Sequence, residues 1–87
     1  MTMAGVSVEK RFRGSVRLVT LHLWRVAKST NVEDGFAEAV RLGMLKPEHV
    51  TFIRACFELE EQGGAPTQAM VDELQACALR LNTADPA

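Results

Sequence analysis

The chain has no tyrosine, one tryptophan, two histidines, two cysteines and three prolines in 87 residues, and each scarcity closes off a class of chemistry. The metal-binding types run in the order His22, His49, Cys56, Cys77, without the close Cys or His pairs that a structural zinc site uses. His49 and Cys56 fall on one helical face, yet they stand two turns apart, too far to ligate one ion. Neither cysteine has a neighbouring base to generate a thiolate, and both lie at the spacing of buried apolar positions. The carboxylates Glu58, Glu60, Glu61, Asp72 and Glu73 pair with no base at helical spacing, so no general acid and base stand out. Gly63-Gly64 follows a helical segment and lacks the lysine and hydroxyl residue of a phosphate loop. These absences predict a protein that is not an enzyme and that uses no cofactor and no metal.

Long apolar runs are missing too. No stretch reaches the 18 or more apolar residues of a membrane span, and the leading MTMAGVSVEK has no apolar core of a secretion signal. Two free thiols at core spacing fit a reducing compartment, so the expected location is the cytoplasm, away from any membrane.

What remains is ordinary globular material, 47 % hydrophobic and 24 % charged. A single domain of this size buries only about 60 % of its unfolded surface, which leaves a marginal core and favours association, most simply as a homodimer. The net charge of −1 conceals a division. Eight basic and four acidic residues up to Lys46 give +4, while two basic and seven acidic residues from Pro47 onward give −5. Such halves attract one another within or between chains, and do not by themselves indicate nucleic acid.

The longest helical pattern covers 8–29. Phe12, Val16, Val19, Leu23 and Val26 recur at intervals of four and three, which at about 100° per residue places them on one seam. Residues 1–7 are expected to be a loose lead-in. Gly14 costs up to about 1 kcal/mol relative to alanine, which predicts that this helix gains strength only from Ser15. A second, short helix opens after Asn31, whose side chain caps it, with Val32, Phe36, Ala39 and Val40 as its apolar stripe and Gly43 just beyond its end. Met44 and Leu45 fold back into the junction. Pro47 suits the first turn of a third helix, in which Val50, Ile53 and Phe57 form one row and Phe52, Cys56 and Leu59 another, predicting the most buried helix after the first. After the loop 63–67, a fourth helix starting at Pro66 or Thr67 carries Met70, Leu74, Cys77 and Leu81, with 82–87 as a frayed tail. The fold class is therefore all-α, a compact four-helix domain over 1–87, expected to dimerise.

The first helix is also where function concentrates. Its far side gathers Lys10, Arg13, Arg17, Trp24 and Lys28, with Leu21 beside them and Leu18 and Arg25 further round. Apolar surface on more than one side predicts an interface in which Trp24, Leu18 and Leu21 are anchors and Arg13, Arg17 and Arg25 meet acids on another chain. The same cations around Trp24 suit phosphate contact, so a nucleic-acid-binding regulator using Arg13, Arg17, Trp24 and Lys28 is the alternative. A helix-turn-helix over 32–62 is poorly matched, because its second helix would open Pro47-Glu48-His49-Val50 and turn acid toward phosphate.

Residues 36–82, through Gly43-Met44-Leu45, the acid Glu48 opening the next helix, and the amphipathic run from Met70 to Leu81, resemble small bacterial helical proteins of the mannitol-repressor and HEPN-like type. Ribonuclease members of that group carry an Arg followed by His at the end of the third helix, where this chain reads Glu58-Leu59-Glu60-Glu61-Gln62. The resemblance therefore implies an inactive, dimerising relative, and no catalytic residue is carried over.

Overall fold

A computed structural model of the chain describes residues 7–83, which form four helices: α1 (Val8–Ala27), α2 (Val32–Arg41), α3 (Pro47–Glu61) and α4 (Gln68–Thr83). No strand occurs among the described residues, so the chain is all-α. The lead-in at 1–6 and the tail at 84–87 lie outside the described residues.

All four helix starts follow from local chemistry. Ser7, expected in the loose lead-in, is the N-cap of α1: its backbone is extended and its Oγ accepts the Lys10 N–H at 3.1 Å, an interaction worth about 1 kcal/mol. Asn31 caps α2 by accepting the Glu33 N–H at 2.8 Å. Thr67 Oγ1 accepts the Met70 N–H at 3.2 Å and so opens α4. Pro47 takes the first position of α3, and the His49 Nδ1 turns back to accept the Lys46 N–H at 3.0 Å. His49 is thereby committed to holding a helix end.

The helix ends are equally specific. Gly43 and Gly63 adopt the left-handed conformation after α2 and α3, where a side chain would be penalised. Lys28 does the same after α1 with a φ of 55°, so α1 stops two residues before the expected 29. Gly14 neither delays nor breaks α1, which is continuous from Val8, because the cap and the buried Phe12 hold the first turns. Asn82 and Thr83, expected in the tail, are still helical.

The core is one cluster. Phe12, Val19 and Leu23 of α1 are fully enclosed, with Val16 and Val26 packed at its edge, as the seam predicts. Phe36 and Ala39 come from α2, Leu45 from the junction, and Val50, Ile53 and Cys56 from α3. Two expectations are corrected. Val40 is exposed, since α2 turns that side of its stripe outward. And α4, through Val71, Leu74, Cys77, Ala78 and Leu81, buries more apolar side chains than α3, whose Phe52, Phe57 and Leu59 are only partly covered. The physical reason is placement: α1 lies along α4 and α2, while α3 meets its neighbours over a shorter length. Outside the core, α3 is tied to α2 by Arg54, which grips both carboxylate oxygens of Glu33 and lies 4.8 Å over the Phe36 ring.

Candidate interaction surface on the first helix

Because α1 is central, its circumference is divided into three strips. One is the buried seam. The second faces the C-terminal end of α3, and the third faces α4. The sequence-predicted anchors do not share a strip: Leu21 and Trp24 belong to the α3 side, Leu18 to the α4 side.

On the α3 side runs an open groove of about 760 Å³: Val16 and Thr20 line the side nearest α3, Arg13, Trp24, Arg17, Lys10 and Leu21 follow round the outer face of α1, and Glu60 stands across from them. A little further along, Phe57 and Glu61 join Glu60 on that far bank. Leu21 is 51 % exposed. None of the side chains of Lys10, Arg13 and Arg17 forms an ion pair among the described residues. Cations and apolar side chains thus alternate along the outer face of α1, with acids on the α3 side. Trp24 is partly buried, and its Nε1 is shut off from water without an acceptor, which costs about 1–3 kcal/mol for a donor removed from solvent.

On the α4 side a second groove of about 710 Å³ is lined by Leu18, Ser15 and His22 of α1 and by Gln75, Ala78 and Leu79 of α4, with Arg11 and Asn82 at its ends. Leu18 is 45 % and Leu79 62 % exposed. Partial burial, reinforced by the positive charge of Arg25, lowers the His22 pKa, so this imidazole is neutral at pH 7 and, among the described residues, Arg11 is the one charged group lining the groove. Arg25 itself reaches across to donate to the Asn82 Oδ1 at 3.3 Å, joining α1 to α4. The two grooves meet at Gly14, which lines both.

Of the predicted interface residues, Arg13, Arg17, Leu21 and Trp24 are brought together, Leu18 and Arg25 lie toward α4, and Lys28 stands apart on the left-handed residue that ends α1. Leu79 was missed by sequence reading. It sits beside the buried Ala78 on the opposite face of α4 from Leu74, and an isolated leucine outside a seam carries no local signal.

Cys56 and Cys77 are free and fully buried, and burial pushes the Cys56 thiol up to about 11, with Cys77 adding to the shift, the opposite of what a nucleophile needs. Among the described residues no three His, Cys, Asp or Glu side chains gather as metal ligands, and no helix is long and apolar enough to cross a membrane. Comparison with protein families, with curated proteins and with solved structures finds no match for this chain.

Proposed function

We propose that this protein is a non-catalytic helical module that acts through protein–protein contact, self-associating as a homodimer through the α4 side of α1. The carrying observation is the pair Leu18 and Leu79, two large apolar side chains from different helices exposed on one flank. Apolar surface shared between elements in this way marks contact sites. A two-fold dimer sets a surface against itself, so it tolerates little charge of one sign. The α4 flank, with Arg11 as its charged lining residue among the described residues and a neutral His22, meets that requirement; the α3 flank, with Lys10, Arg13 and Arg17 on α1 and Glu60 and Glu61 on α3, has far more charge to desolvate against a second copy. A domain this small also gains proportionally more from added burial than a large one. The resemblance of 36–82 to dimerising helical proteins, with Glu58-Leu59-Glu60-Glu61-Gln62 where the ribonucleases carry their Arg and His, supports the same reading.

The test is light scattering coupled to size exclusion on wild type and on the Leu18→Glu/Leu79→Glu variant. Both side chains are exposed, so helical circular dichroism should be unchanged. The expected result is a dimer for wild type and an increase of about 100-fold or more in dimer Kd for the variant. A wild type that stays at protomer mass at high concentration, or a variant that still dimerises normally, overturns the proposal.

A nucleic-acid-binding regulator is the second reading, favoured by the cations of the α3-side groove, which have no ion-pair partner among the described residues. Steep loss of binding with rising salt is its signature.

A further inference from the structure

The α3-side groove is left unused by that dimer. We infer that it receives an amphipathic helix of a partner protein, acidic along one edge. Three observations carry this. First, the half-exposed Leu21, with Trp24 and Val16 lining the same groove, asks for an apolar seam, which a helix supplies at i, i+3, i+4 and i+7. Second, the α1 bank presents Lys10, Arg13 and Arg17 in a row without ion-pair partners among the described residues, and complementary acids along one edge of the incoming helix would satisfy them and fix its register. Third, the length fits: from Lys10 to Trp24 the groove follows α1 for about 21 Å at the helical rise, enough for about four turns of a partner.

The far bank decides against nucleic acid. A polyanion is negative on every side, so seating it against Arg13 and Arg17 also presses phosphate toward Glu60 and Glu61. An amphipathic helix can confine its acids to the edge facing α1 and leave neutral or basic residues toward α3. The groove's two-sided charge therefore selects a ligand whose charge is one-sided.

Self-association and this docking share the premise of a contact module but occupy different flanks, meeting at Gly14, so each can fail without the other. The experiment is a selection of 16-residue peptides from a random display library against the full chain. Enriched sequences should carry a helical apolar seam with Asp or Glu along one edge. A selected peptide lacking tryptophan is then titrated in solution, with the emission of Trp24, the chain's one tryptophan, as the readout in the groove. Arg13→Glu/Arg17→Glu, whose side chains are exposed, should keep its helical spectrum and weaken binding about tenfold or more; exchanging the peptide's acids for lysine should abolish binding to wild type and restore it to this variant. Titrations repeated in Leu18→Glu/Leu79→Glu should be unaltered, separating this result from the dimer. Enriched peptides without an acidic edge, an unmoved Trp24 emission, or binding indifferent to the double reversal would overturn the inference. So would a DNA duplex that shifts Trp24 emission more tightly than the best peptide.

Discussion

Gly35 of α2 lies directly on Leu23 of α1: a β-carbon at Gly35 would stand 2.6 Å from both the Cβ and the carbonyl oxygen of Leu23. Since half of that clash is with backbone, it cannot be relieved by turning a side chain. Gly35→Ala should therefore cost about 2 kcal/mol through forced separation of α1 and α2. Gly14 is the control, because a β-carbon there meets nothing within 4 Å; Gly14→Ala should add about 0.5–1 kcal/mol. Urea denaturation of the two variants beside wild type checks both signs.

The enclosed indole N–H of Trp24 predicts an unusual tolerance. Trp24→Phe removes ring area but also removes a donor without an acceptor, so the two effects offset and unfolding free energy should change by less than about 1 kcal/mol. A loss of about 2 kcal/mol or more in chemical denaturation would mean that the N–H has a partner.

Cys56 and Cys77 should resist modification as long as the protein is folded. Both thiols are out of contact with water, and at pH 8 a group pushed up to about 11 is almost wholly protonated. With a folding free energy of about 5 kcal/mol, reaction with a thiol reagent should run at least about a thousandfold slower than for a free cysteine. Its rate should rise with denaturant in step with unfolding, which stopped-time absorbance measurements can follow.

His22 makes stability fall on the acid side. Its pKa is lowered in the fold, first by burial and then by Arg25, so the unfolded chain binds the proton more readily. The stability associated with the neutral imidazole is full above the ordinary value near 6.5 and is lost as pH falls through the lower folded value. Titration of the ring protons by NMR should place the His22 midpoint below 6.5, and His22→Gln should flatten the decline of stability across that window.

What the sequence made legible was what neighbours in the chain decide. The seam of Phe12, Val19 and Leu23, the cap at Asn31, the turn at Gly43 and the first-turn Pro47 each depend on a few adjacent residues, and each is present. What escaped depends on partners far away in sequence. Periodicity gives an angle around α1 but not which helix stands at that angle, so Leu18, further round than Trp24, is still assigned to the same interface although α4 and α3 claim them separately. The close approach at Gly35 left no local trace either, because a glycine early in a helix reads the same whether it is crowded or free. The two-sided charge of the α3-side groove arises from residues such as Arg17 and Glu60, more than forty positions apart.

The placement of α1 against both α4 and α2 also governs how the domain comes apart. Among the described residues the other helices share no common support of that extent, so a fragment without α1 should keep little of the buried cluster. Clipping the chain within its opening rod should dissolve the entire assembly in one step, where trimming most small bundles from an end leaves a weakened but recognisable remnant.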